Sequence, residues 1–217
     1  MADFFTEFDA PDTDLTRKAY DHAFAIETAA IAGHSIRTYL FGRALGEHRG
    51  LRPGADYDDE ALFLACALHD AGLTEEGDGH ARFEVDGADL AASFLREHGL
   101  AEDRVRLVWE AIALHTSGGI AHRMRPEIAL THLGAGADVA GFGADALPGG
   151  LADRAHAAYP RLGSSPELLH AIVGQIARDP RKAPLGSFPG ELARQAGVEL
   201  PEERFAEAAL GAWPGVA

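Results

Sequence analysis

One cysteine, Cys66, is all that this 217-residue chain carries. An internal disulfide is therefore excluded, and so is a zinc site built on paired cysteines. Positive charge is scarce too: 19 Lys+Arg stand against 34 Asp+Glu, a net charge of −15. A surface that neutralises phosphates is not expected, which argues against nucleic acid as a partner. The same acidity disfavours an anionic membrane face. Aromatic residues make up only 8%, and no run alternates apolar and polar residues between hairpin turns, the signature of paired strands. The longest apolar run, Ala61 to Leu68, is 8 residues, where about 20 are needed to span a bilayer. The N-terminus, Met1-Ala2-Asp3-Phe4-Phe5, lacks the basic and apolar regions of a signal peptide, and a cytoplasmic location is the expectation.

Helix formers and helix punctuation are abundant. Pro126-Glu127 and Pro166-Glu167 look like first-turn prolines, the second behind a Ser165 cap. Gly72, Gly99 and Gly118-Gly119 stand where helices would stop. The pattern predicts helices near 13–31, 34–47, 58–70, 81–98, 102–116, 126–141, 149–159, 166–178, 189–197 and 202–211. The expected fold class is all-α. Residues 179–189, Asp-Pro-Arg-Lys-Ala-Pro-Leu-Gly-Ser-Phe-Pro, hold three of the eleven prolines. They divide an expected core at 12–178 from a C-terminal helical appendage at 179–217, packed on that core and also a candidate surface for a second copy in a homo-oligomer.

Eleven histidines accompany the acids, and some interrupt apolar runs. The helix expected at 58–70 is apolar nearly all round and so should be buried, yet it ends in His69-Asp70. An imidazole and a carboxylate there either cap the helix and face a surface turn, or share a divalent cation. His34 opens the preceding helix, and Asp138 stands among Gly134, Ala135, Gly136, Ala137, Val139 and Ala140, an odd setting for a solvated acid. Two imidazoles and two carboxylates form a nitrogen and oxygen donor set suited to Zn²⁺, Mn²⁺ or Fe²⁺.

The ordered quartet His34, His69-Asp70, Asp138 resembles the HD superfamily of metal-dependent hydrolases over about residues 20–142. The resemblance implies an HD-domain helical bundle in which His34, His69, Asp70 and Asp138 hold one divalent metal, zinc first and iron or manganese next. Such a metal lowers the pKa of a bound water toward neutrality. HD nucleotidases carry an acid, and HD signalling phosphodiesterases a lysine, three residues after the doublet, where this chain has Leu73. The cyanamide hydratase-like subset is the nearer resemblance. Its look is shared by His34-Ser35-Ile36-Arg37-Thr38-Tyr39-Leu40-Phe41, Leu68-His69-Asp70-Ala71-Gly72-Leu73, Arg82-Phe83-Glu84-Val85-Asp86-Gly87-Ala88, Leu114-His115-Thr116 and Asp138-Val139-Ala140-Gly141. This implies hydration of a small neutral nitrogenous molecule, as cyanamide to urea, with a phosphohydrolase acting on nucleotides or phosphomonoesters as the alternative. A helical binding module without catalysis is a third reading, opposed by the intact quartet.

The same comparison makes Asp70 and His115 the candidate catalytic residues. His80, Glu84 and Arg37 are the candidates for touching substrate: His80 and Glu84 are four apart at a helix start, and Arg37 lies three beyond His34. The plainer readings are a helix-end histidine for His115, an exposed i,i+4 pair for His80 and Glu84, and an ordinary ion pair for Arg37. The acidic cluster Glu75-Glu76-Gly77-Asp78 reads as a solvated loop and is also a candidate lid, and Cys66 reads as a small core residue.

Overall fold

The chain is described by a computed structural model covering residues 3–201 and 205–213. Eleven α-helices follow one another among the described residues: α1 (Phe4–Glu7), α2 (Asp14–Ile26), α3 (Ala29–His48), α4 (Asp59–Leu68), α5 (Phe83–Glu97), α6 (Glu102–Leu114), α7 (Pro126–Ala140), α8 (Leu151–Ala158), α9 (Ser164–Arg178), α10 (Phe188–Gln195) and α11 (Phe205–Gly211). A short 3-10 turn, Ala71–Leu73, follows α4. No strand occurs among the described residues, so the fold is all-α.

Helix α4 is the axis of the molecule. Every residue from Ala61 to Leu68 is buried, as its all-round apolarity requires. Its two sides feed different cores. Ala61, Leu64, Ala65 and Leu68 pack with α5 and α6 residues such as Leu95, Val108 and Ile112. Leu62, Phe63, Cys66 and Ala67 pack with Ile36, Tyr39 and Phe41 of α3. Asp58 caps its N-terminus by accepting from Ala61 N at 3.0 Å, which satisfies one of the free first-turn amides.

Helices α3 and α7 approach almost backbone to backbone. A Cβ on Gly134 would lie 2.0 Å from the Thr38 carbonyl oxygen, and one on Gly42 would lie 2.5 Å from that of Leu130. Only glycine permits this crossing, and the crossing sets His34 and Arg37 of α3 opposite Asp138 of α7.

Three expectations are corrected. The helix predicted at 13–31 is two helices, because Glu27 and Thr28 are extended and the Thr28 hydroxyl caps α3 through Ile31 N at 3.3 Å. The core begins before residue 12: Phe4 and Phe5 of α1 are buried, and the Phe4 ring stacks on Tyr20 at 5.6 Å. Ser165 is not a helix cap, since α9 already starts at Ser164 behind Gly163, which has φ +83°. The Ser165 hydroxyl instead accepts from Arg161 at 2.7 Å.

Beyond α9 the chain turns back on the bundle. Ala183 and Ala193 join Ile172, Ile176 and Phe83 in a third apolar cluster. Lys182, only 2% exposed, donates to Asp78 at 2.7 Å, Asp86 at 2.9 Å and the Gly79 carbonyl at 3.1 Å. The loop considered as a lid is thus pinned to the C-terminal segment.

Candidate metal centre

Two helices end in the same device. The sequences Ala67-Leu68-His69 and Ala113-Leu114-His115 close α4 and α6, with each histidine just past its helix. His69 Nδ1 donates to the Cys66 carbonyl at 2.8 Å, and His115 Nδ1 donates to that of Ile112 at 2.7 Å. The carbonyls concerned are among those a helix leaves unpaired at its C-terminus. The capping role therefore holds for both residues, and it fixes their chemistry as well. A carbonyl only accepts, so Nδ1 carries the hydrogen and each Nε2 keeps a bare lone pair.

His34 is set the same way by a different partner. Its Nδ1 donates to Asp138 Oδ2 at 2.7 Å. Asp138 in turn accepts from Arg37, Nε to Oδ1 at 2.7 Å and Nη2 to Oδ2 at 2.8 Å. Burial alone would raise the Asp138 pKa, but the hydrogen bonds from His34 and Arg37, with the Arg37 charge, outweigh it and hold the carboxyl well below its usual range. Asp138 is accordingly an ionised acceptor, and His34 Nε2 is left bare.

The three free groups meet. His34 Nε2 and His69 Nε2 are 3.2 Å apart, and Asp70 Oδ2 lies 3.5 Å from the first and 3.3 Å from the second. Residues His34, His69 and Asp70 are all buried and form the one group of this kind found among the described residues. Without a cation the arrangement is unfavourable. Two lone pairs face each other, and Asp70 Oδ2 has no hydrogen-bond partner, a costly state for a buried carboxylate. Protonating His69 does not relieve it, because burial depresses its pKa to about 3 in spite of the opposing charge of Asp70. A divalent ion satisfies both nitrogens and the oxygen together, so this donor set fits a metal.

His115 stands at the edge of this group. Its Nε2 is 3.9 Å from Asp70 Oδ1, its ring is 4.8 Å from that of His69, and it is 6% exposed. The structure thus brings His34, His69, Asp70 and His115 together.

The remaining candidates are placed differently. Asp138 lies behind the His34 ring rather than within the three-residue group. Arg37 is fully buried and is spent on Asp138, the Tyr159 carbonyl at 2.9 Å and Ser164 at 3.3 Å, so it offers no hydrogen bond to a substrate. Glu84 is also fully buried. Arg82 takes both its oxygens, at 2.6 and 3.1 Å, and Thr116 bonds to it as well, which makes Glu84 a strut for the segment carrying His115. His80 is a correction: its side chain is 88% exposed, with Asp179 at 3.9 Å. Helix α5 starts at Phe83 rather than 81, so the spacing from His80 to Glu84 crosses a bend and shares no helical face.

Glu27 escaped the reading of the sequence. At the break between α2 and α3 it is 8% exposed, accepts only from Ser35 at 3.2 Å, and leaves Oε1 unpartnered. Burial, and then the charge of Asp70, push its pKa well above the usual value. Its spacing of seven before His34 is the signal that was available, two helical turns back, but the intervening Thr28 cap conceals it.

Comparison with known proteins agrees with the geometry. The chain is similar to the cyanamide hydratases DDI2 and DDI3 of Saccharomyces cerevisiae, each 29% identical over 108 residues. The match takes in 48% of this chain and 47% of each relative, so the chain spans about half the length of the curated relatives it matches. A family model for the HD domain matches residues 31–141, just over half of the chain and the stretch containing His34, His69, Asp70, His115 and Asp138. The chain belongs to the HD domain family.

Proposed function

We propose that this protein is a metal-dependent hydratase or hydrolase acting on a small, uncharged nitrogenous molecule, with cyanamide and its hydration to urea as the leading case. The observation carrying this reading is the facing pair of bare Nε2 atoms beside the orphaned Asp70 oxygen. A divalent ion held there, zinc before iron or manganese, supplies Lewis acidity and acidifies a coordinated water toward neutrality.

The chain's own residues do the rest. His34 and His69 present fixed lone pairs, and Asp70 supplies the anionic oxygen. His115 is the proton carrier of this reading: its Nδ1 is committed to Ile112, so its bare Nε2 beside Asp70 takes a proton from the attacking water and returns it to nitrogen. One C–O bond forms and one C–N π bond opens. One proton passes from water to the nitrile nitrogen to give isourea, and transfer of the remaining hydroxyl proton from oxygen to the imino nitrogen, as the C=O bond forms and the second C–N π bond opens, gives urea with nothing left over.

The preference for a neutral substrate has a structural support. Phosphoryl transfer needs cationic clamps free to meet the phosphate. The arginines near this site are committed, Arg37 and Arg161 to Asp138 and Arg82 to Glu84. Leu73 packs against the third apolar cluster, in the place where HD phosphohydrolases carry an acid or a lysine. A net charge of −15 further repels anions.

The test is metal analysis of the purified protein, followed by incubation with cyanamide and with a panel of nucleoside monophosphates. Near-stoichiometric Zn, Mn or Fe together with urea formation supports the reading. Phosphate release without urea overturns the substrate class. Absence of metal from the wild type, with Asp70→Ala behaving identically, overturns the metalloenzyme itself.

A further inference from the structure

We propose that Glu27 is a specificity-determining residue of this site, whose free carboxyl oxygen receives an N–H of the substrate. The substrate class then narrows to small neutral molecules that carry an N–H next to the carbon that is hydrated. This rests on the functional reading above and deepens it.

Placement carries the case. Glu27 closes α2, and Thr28 caps α3 directly after it. Ser35, the residue that follows His34, donates its hydroxyl to Glu27 Oε2 at 3.2 Å. The neighbouring Ile26 shares the wall of a cavity of about 380 Å³ with Thr74, Glu75 and Glu76, the loop that follows Asp70 and its turn. Glu27 therefore lies between the segments that carry His34 and Asp70, and the charge of Asp70 acts on its carboxyl. The side chain is buried, and Oε1 has no hydrogen-bond partner.

Such an oxygen costs stability, and the fold gains nothing from it in return. No lysine or arginine pairs with Glu27 among the described residues. Ser35 does not need it either, since a helical serine can bond the carbonyl four residues back. The orphaned oxygen is accounted for as one half of a contact that the substrate completes.

The chemistry of the other half follows. A carboxylate only accepts, and a neutral carboxyl still offers its carbonyl oxygen. The Ser35 hydroxyl can serve Oε2 in either state. The substrate must therefore donate. Cyanamide has an amino hydrogen to give, whereas acetonitrile, matched in size, has a methyl group in that place. A site whose buried polar group would be left unpaired rejects the analogue that cannot donate. The exposed Glu75 and Glu76 at the cavity add negative charge that turns anions away.

The experiment loads full-length wild type, Glu27→Leu and Glu27→Gln with cobalt(II) and follows the visible bands as cyanamide or acetonitrile is added. Hydration of each nitrile is then measured on the zinc-loaded proteins. Wild type should bind cyanamide more tightly than acetonitrile by roughly 10-fold or more. Glu27→Leu should weaken cyanamide binding by roughly 10–100-fold, with the loss chiefly in KM, and leave acetonitrile unchanged. Glu27→Gln keeps an accepting oxygen and should stay close to wild type. Equal affinity of wild type for the two nitriles overturns the proposal. So does a loss in Glu27→Leu that is absent, or the same for both. If Glu27→Leu does not fold, Glu27→Asp takes its place, because it draws the oxygen back by one methylene and should weaken cyanamide alone. Failure of wild type to bind cobalt, or of either nitrile to shift its bands, overturns the functional reading itself, and is distinguishable because it appears before any substitution.

Discussion

At the residue scale, the site is built from groups whose free atoms are decided by what their other atoms do. His69 and His115 spend Nδ1 on helix ends, and His34 spends its own on Asp138, so three bare Nε2 atoms share one interior. If His115 carries the proton, His115→Gln should keep its metal and lose on the order of 100-fold in kcat for cyanamide hydration. Equal turnover in the variant would remove His115 from the chemistry, and loss of metal would make it a ligand. Glu27 gives a second test at this scale. Its pKa is raised by burial and by Asp70, so charging it costs folding energy. That cost is absent below the unfolded value of about 4.3 and grows as pH rises above it. Glu27→Gln should therefore stabilise the metal-free protein by on the order of 1 kcal/mol at pH 7, with the gain fading below pH 4. Urea unfolding at the two pH values checks this, and equal effects at both would show that its charge is irrelevant.

At the element scale, the site depends on how closely α3 and α7 cross. Gly134→Ala places a Cβ 2.0 Å from the Thr38 carbonyl oxygen, a backbone atom that cannot turn aside. The helices must separate, at a cost of about 3 kcal/mol or more, and Asp138 must draw back from His34. Gly136→Ala, on the same helix, meets only the Phe142 ring at 3.3 Å, and that ring is 71% exposed and free to move. Thermal unfolding should separate the two variants by roughly 6–12 °C, and metal affinity should fall only in the first. A similar shift for both would mean that the crossing is not the cause. Much of this scale was legible in the sequence: α4 as a buried helix from its all-round apolarity, and the small-residue run around Asp138 as an odd setting for a solvated acid. Positions that depend on tertiary partners were not. Spacing places Asp138 near His34 but cannot say which side of the ring it takes. Arg37 has the same look whether it meets a substrate or a buried acid. His80 was misplaced because α5 starts at Phe83, a residue of the third cluster, and not at 81.

At the scale of the whole molecule, α9 and the segment after it reach back to the turn that follows His69-Asp70. Gln175 donates to the Gly72 carbonyl at 2.8 Å, Arg178 reaches Asp78 at 2.6 Å, and Lys182 joins Asp78, Gly79 and Asp86. Residues well outside the stretch that matches the family model at 31–141 thereby hold the loop that leads away from Asp70. A lysine this buried is tolerated because all of its donors are used, and removing it strands Asp86 with little solvent. Lys182→Met should cost about 2–4 kcal/mol and expose the amides of 74–82 to hydrogen exchange. It should also change the response to acid. Burial works to raise the Asp78 pKa, but the bonds from Lys182 and Arg178 prevail and lower it. A lowered carboxylate pKa adds stability above its unfolded value of about 3.9, and that stability is lost as pH falls through the folded value. Wild type should therefore lose more stability between pH 5 and pH 2 than Lys182→Met, whose curve should be shallower. Parallel curves would show that Asp78 owes its ionisation to Arg178 alone. Exchange confined to 179–201, with 74–82 still protected, would show that the loop holds its place without the strap.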